Sequence, residues 1–234
     1  MTWGSLRSGT RGILLTQLGS GGVKFGDTTE RPAADECARN PHRLGPTTYG
    51  RAMPRLIHLN GPSRVGKSTL ARRYANEHPG TLALDLDVLA GLIGGWKEDF
   101  SAALEMARGH GRELATRHLR GGYDVILPQL VTSHDRDPDP GFEEAACAAD
   151  ASYIEVALMV DDQEHLQRLH GKRPSNEVEA RIQTALEDPD TDLDRIRRHL
   201  SEYLAGRPHT IRLDITGLGE DASYQRLLNA LDAT

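Results

Sequence analysis

The sequence predicts an α/β fold built on a mainly parallel sheet. Three observations carry the prediction. From Met53 onward, short apolar runs alternate with stretches of helical spacing. The runs are nearly continuous in apolar residues, as strands covered on both faces are. The first run leads into a glycine-rich turn that opens a helix, the setting in which such a turn binds phosphate.

Each element follows in order. Residues 55–60 (RLIHLN) read as the first strand, ending at Gly61. Residues 67–77 (KSTLARRYANE) put Leu70, Ala71 and Tyr74 on one helical face, and Pro79-Gly80 breaks the run. Residues 81–87 (TLALDLD) predict a second strand. Residues 100–119 predict a long helix stopped by Gly121-Gly122, and residues 123–127 (YDVIL) a third strand. The Asp- and Pro-rich residues 133–140 read as a loop and 142–149 as a short helix. Residues 152–160 (SYIEVALMV) are the clearest buried strand. Residues 161–170 predict a helix with acids in its first turn, where the helix dipole favours them. Helices near 178–187 and 193–204, a strand over 210–215 and a helix over 222–231 complete the pattern. No internal repeat or heptad pattern is present. The histidines are scattered without HExxH spacing, and His58 in the first strand reads as a core or surface residue rather than a ligand.

The chain has 234 residues and a net charge of -6. That balance argues against a general basic surface for nucleic acid. No run of 18 apolar residues could cross a membrane. Cys37 and Cys147 lie far apart with no CxxC, which excludes a disulfide framework and a Cys-based zinc site and fits a reducing, cytoplasmic setting. Residues 1–52 differ from the rest. They hold 7 Lys+Arg against 4 acids, and Gly, Pro, Ser and Thr supply 22 of the 52. No period persists, so they are expected to form a disordered extension, with a basic arm for a partner as the alternative. The domain is expected to span 53–234. Met53 opens it almost at its first strand, so a start there would make residues 1–52 a start-site artefact.

Gly61-Pro62-Ser63-Arg64-Val65-Gly66-Lys67-Ser68 fits G-x-x-x-x-G-K-[ST], with Thr69 completing the turn into the helix. The glycines are expected where a Cβ would clash. The loop amides then form an anion-binding concavity, and the helix start adds its positive end. Lys67 can reach the β- and γ-phosphates, and the Ser68 hydroxyl can ligate Mg²⁺. The expected ligand is a nucleoside triphosphate with Mg²⁺.

The second predicted strand ends Leu84-Asp85-Leu86-Asp87. Strands of such a sheet deliver their C-terminal ends to the ligand crevice. Carboxylates at i and i+2 point the same way if the strand persists. One can hold Mg²⁺; the other can orient an acceptor hydroxyl and take its proton. The competing role for Asp87 is a helix N-cap ahead of Val88-Leu89. Arg168, Lys172 and Arg173 follow the fourth strand, where a helical hairpin could fold over the nucleotide and spread transition-state charge. A solvated helix face is the alternative.

Together, LNGPSRVGKST, LALDLDVLAGLIGGW, GGYDVILPQL and this basic segment resemble the small-molecule kinase branch of the P-loop NTPases. Shikimate kinase, gluconate kinase and chloramphenicol phosphotransferase are among its characterised members. The resemblance looks closest to actinobacterial proteins called "AAA family ATPase". It covers about 180 residues and implies a three-layer α/β/α fold, a five-stranded sheet of order 2-3-1-4-5 and a helical lid. It also implies ATP and Mg²⁺, with the adenine end near residues 214–219. Asp85 and Asp87 match the D-x-D of shikimate-kinase-like enzymes, and Asp87 best matches the single aspartate of chloramphenicol phosphotransferase. Arg168 or Arg173 matches the lid arginine. The chain departs from the family at Leu127-Pro128-Gln129, where no acid follows the third strand. Asp85 is therefore expected to help hold the metal, with Gln129 placed to hydrogen-bond acceptor hydroxyls. The glycine triplet that shikimate kinase uses for its acid substrate is absent. A domain this small also lacks the second helical subdomain of a motor ATPase.

The reading is an ATP-dependent phosphotransferase acting on a hydroxyl of a small molecule. Lys67 and a lid arginine would neutralise charge, Ser68 and Asp85 would hold Mg²⁺, and Asp87 would position the acceptor. Trp96, in residues 88–96, could stack on the acceptor or belong to the core. One alternative is a zeta-toxin-like or polynucleotide-kinase-like enzyme, acting on a nucleotide-sugar or nucleic-acid end. Another is an NTP-binding switch without a small-molecule acceptor.

Overall fold

The computed structural model describes residues 53–133, 141–171, 173–174, 176–185 and 189–234. The expected N-terminal extension and most of the expected 133–140 loop lie outside the described residues. Five strands form one sheet in the order β2-β3-β1-β4-β5, and every pairing is parallel. They are β1 (Arg55–Asn60), β2 (Leu82–Ala83), β3 (Val125–Pro128), β4 (Ser152–Met159) and β5 (Ile211–Asp214). Both the fold class and the strand order agree with the sequence reading.

Period-two alternation divides the strands between two cores. Ile57 and Leu59 of β1 join Ile126, Val156 and Leu158 on one face. Helices α1 (Lys67–Glu77) and α8 (Glu220–Asp232) cover that face through Leu70, Tyr74, Tyr224 and Leu227. Leu56 of β1 points the other way, to Val125 and Leu127. There α3 (Phe100–Arg120) and α4 (Phe142–Ala148) supply Ala115, Leu119, Phe142 and Ala146. Helix α7 (Pro189–Ala205) adds Leu200, Tyr203 and Leu204 over Ala157 and Val131. The result is three layers. The remaining helices are α2 (Leu86–Ala90), α5 (Asp162–Gly171) and α6 (Glu177–Ala185).

The main departure from expectation is the second strand. It stops at Ala83 rather than Asp87, and α2 begins at Leu86. The Asp85 carboxylate accepts from the Asp87 and Val88 amides, which starts a helix in place of further ladder bonds. The third strand runs one residue further than expected, to Pro128. There Leu59↔Pro128 is the last pair in the register, a position that tolerates a missing N–H.

His58 is wholly buried and is a core residue, as expected. Its Nδ1 lies 2.8 Å from the Tyr153 hydroxyl, and its Nε2 lies 2.9 Å from the Gln129 carbonyl. Burial holds the ring below the usual histidine range, against the pull of Glu155 and the Gln129 carbonyl. No helix among the described residues is long and apolar enough to cross a membrane.

Candidate active site

The site begins where β1 ends. The Asn60 side chain is wholly buried, and its Oδ1 accepts from the Gly61 and Val131 amides at 2.7 and 3.0 Å. Its Nδ2 donates to the Val131 carbonyl and to Glu155 Oε1. All its hydrogen-bonding capacity is used, and it fixes the start of the loop beside β4 and the chain that leaves β3. The sequence reading missed this residue; a polar residue closing an apolar strand just before the glycine turn was the signal.

Gly61 has φ 140°, and a Cβ there would stand 2.7 Å from the Leu158 carbonyl oxygen. Gly66 is required for its φ of 117° alone, since a Cβ would meet nothing within 4 Å. The clash expected at both glycines therefore holds only for the first. Arg64, also left-handed at φ 67°, completes the inward turn. No side chain caps the start of α1, so no side chain competes with an anion at that helix end.

Lys67 folds back over this loop, and its Nζ donates to the Gly61 and Pro62 carbonyls at 2.7 and 2.9 Å. Burial lowers its pKa to about 8, against the opposing pull of Asp87 and Asp85. The next side chain, Ser68, donates from Oγ to Asp85 Oδ2 at 2.9 Å. Asp85 is the N-cap of α2, so the capping role considered for Asp87 belongs to Asp85. Asp87 lies instead in the first turn of that helix and faces a cavity. Burial, then the neighbouring Asp85 charge, raises its pKa to about 6; Lys67 and Arg108 oppose the rise. The equal-facing geometry expected of a continuing strand does not occur. A cap and one helical turn bring both carboxylates close enough to Lys67 to act on it.

Two cavities meet at the phosphate loop, each of about 420 Å³, and both are lined by Arg64, Gly66 and Thr69. The first also holds Lys67, Ser68, Asp87 and Gln129, whose side chain is nearly buried. The second holds Glu164, Arg168, Ile215 and Leu218, beside the segment after β5 where the resemblance places the adenine end.

Arg168 thus lies in the second cavity, not with Asp87. Its Nη1 donates to the Val65 carbonyl at 2.9 Å, its Nη2 reaches the Leu218 carbonyl at 3.3 Å, and Glu164 pairs with it. Arg173 is exposed, and its carbonyl accepts from Arg64 at 3.5 Å. Trp96 packs edge-on against Phe100 in a cluster with Ala90, Ala103 and Ala107, and does not line the first cavity.

Arg108, Glu179 and His199 line the first cavity and were not singled out from the sequence. Phe100, Leu104 and Arg108 recur every fourth residue along α3 and all reach that cavity. A cation on an apolar stripe was the available signal.

No curated protein sequence matches the chain. Its fold is similar to that of thymidylate kinase from Candida albicans. That match has 14% identity and a TM-score of 0.54, over 79% of this chain and 93% of that one. The tunicamycin resistance protein of Deinococcus radiodurans gives 19% identity and a TM-score of 0.51, over 76% of this chain and 95% of that one. At such identities the likeness is one of fold, the P-loop kinase fold. The AAA domain model matches residues 56–190 in sequence. Because that match takes in the loop, both aspartates and more than half of the residues, the chain belongs to the AAA domain family.

Proposed function

We propose that the protein is an ATP-dependent phosphotransferase that moves the γ-phosphoryl group to a hydroxyl of a small molecule. The observation that supports it is the pair of cavities meeting at the phosphate loop, with Asp87 in one and the β5 segment in the other. A switch needs room for a nucleotide. It does not need a second chamber with a buried carboxylate beyond the phosphate.

The triphosphate would lie on the amides around Arg64 to Ser68 and displace the Lys67 ammonium from the Gly61 and Pro62 carbonyls. Lys67 would then meet charge on the γ-phosphoryl group as it transfers. Asp87, with a pKa of about 6, is mostly ionised at neutral pH and can accept the acceptor's proton. Gln129 would orient that hydroxyl. The Ser68 hydroxyl and Asp85 carboxylate are hard oxygen donors 2.9 Å apart, a set that suits Mg²⁺. Among the described residues no group of three or more His, Cys, Asp or Glu could hold a metal. Bound there, Mg²⁺ would supply charge neutralisation. Arg168 and Arg173 would close the nucleotide side. The kinase domain would be residues 53–234, acting in the cytoplasm on a small hydroxylated acceptor.

The test is ADP release with and without a panel of hydroxylated acceptors, paired with a search for a +80 product in a metabolite extract. Transfer that depends on an acceptor is expected, and Lys67→Ala should abolish it. Hydrolysis indifferent to every acceptor, with no phosphorylated product, would sink the proposal.

A further inference from the structure

Behind the phosphate loop stands a histidine with no part in the chemistry above. His165, on α5, is wholly buried. Its Nε2 lies 2.7 Å from the Ser63 carbonyl, and its Nδ1 lies 3.0 Å from Arg197 Nη2 on α7. The two partners fix the tautomer. A guanidinium only donates, so Nδ1 accepts; a carbonyl only accepts, so Nε2 carries the proton. Burial holds the ring below the usual histidine range, and the Arg197 and Lys67 charges act the same way, against the Ser63 carbonyl and Asp162. The neutral ring therefore joins one donor to one acceptor across three segments.

The position of α7 gives this chain its significance. Arg195, Ile196 and His199 of that helix line the cavity that holds Asp87. Arg197 reaches the other way, to His165 and to Asp162 Oδ1 at 2.9 Å. A shift of α7 would act on Arg197, and His165 would pass it to the Ser63 carbonyl. Ser63 lies within the loop whose amides would hold phosphate.

We infer that His165 is a positioning residue that couples the α7 wall of the acceptor cavity to the phosphate loop. Rotating the Ser63 carbonyl turns the peptide that follows it, so the His165 contact sets where the Arg64 amide points. The loop is then held in its phosphate-binding form only while α7 is seated. The inference rests on the loop's binding nucleotide phosphate, as proposed above.

The experiment uses the full chain and needs no acceptor. Hydrogen–deuterium exchange over residues 61–68 is followed with and without ATP and Mg²⁺, alongside ATP affinity by calorimetry. His165→Leu removes both ring contacts, Arg197→Met removes only the α7 end, and His165→Gln restores one donor and one acceptor. Faster loop exchange and roughly 5- to 10-fold weaker ATP binding are expected for the first two, the size one lost hydrogen bond supports. The Gln variant should recover most of both. Arg197 bonds to His165, Asp162 and Asp194 rather than to the loop, so its effect on loop exchange is the decisive reading, and it stands even if His165→Leu does not fold. Wild-type exchange and affinity in Arg197→Met would overturn the coupling. A wild-type protein that binds no ATP would overturn the phosphotransferase reading instead.

Discussion

The Ser68 hydroxyl donates to the Asp85 carboxylate at 2.9 Å, while the other oxygen of that carboxylate caps α2. One side chain thus ties the start of α1 to the helix that carries Asp87. Asp85→Asn keeps a capping oxygen but loses the charge beside Ser68, so the fold should survive. The Mg²⁺ concentration for half-maximal activity should rise on the order of tenfold, since one charged ligand is lost. An unchanged Mg²⁺ titration would remove Asp85 from the metal site.

Asp87→Asn separates acceptor chemistry from nucleotide binding. Asp87 makes no cap, so its replacement leaves α2 started by Asp85. Loss of a positioned base typically lowers kcat by roughly 10² to 10⁴. ATP affinity should stay near that of the wild type, because Asp87 lies away from the cavity beside β5. Wild-type turnover in this variant would leave the acceptor-side role without support.

Much of this arrangement was legible in the sequence. β1 and α1 have the bounds their patterns predict, because the glycine turn between them fixes both ends. Strand two was overextended because Leu84, Leu86 and their neighbours alternate as a strand should. The side-chain cap at Asp85 won over that local pattern. Asn60 and His165 act through partners 32 to 102 residues away, and Arg108 through the shape of a cavity, so the local cues at Asn60 and Arg108 do not say what those side chains meet. Trp96 was open between stacking and core, and its contact with Phe100 places it in the core cluster.

Arg168 is held to the Val65 and Leu218 carbonyls, on the β5 side of the loop. Arg168→Ala should therefore raise the KM for ATP more than it lowers kcat, and Arg173→Ala, at an exposed position, should do little to KM. Steady-state kinetics at varied ATP decides it. A kcat loss with normal KM would return Arg168 to the transition state, as the sequence reading had it.

Acid should destabilise the fold through its buried histidines. His58 and His165 both have folded pKa values below the ordinary 6.5. Below that pH the unfolded chain takes up protons that the folded chain refuses, so stability is present above about 6.5 and is lost as pH falls beneath it. Glu155, also held below its usual 4.5, adds the same trend at still lower pH. Each excess proton changes the unfolding free energy by about 1.4 kcal/mol per pH unit. Between pH 7.5 and 5.5 stability should thus fall, with that slope as the upper limit for each histidine. Urea unfolding at the two pH values measures it. His58→Gln cannot titrate, so its stability should fall less than the wild type's across the same window, even if its starting value is lower through the altered Tyr153 and Gln129 contacts. Identical pH slopes in the two proteins would mean that His58 takes up its proton in the folded state as readily as in the unfolded one.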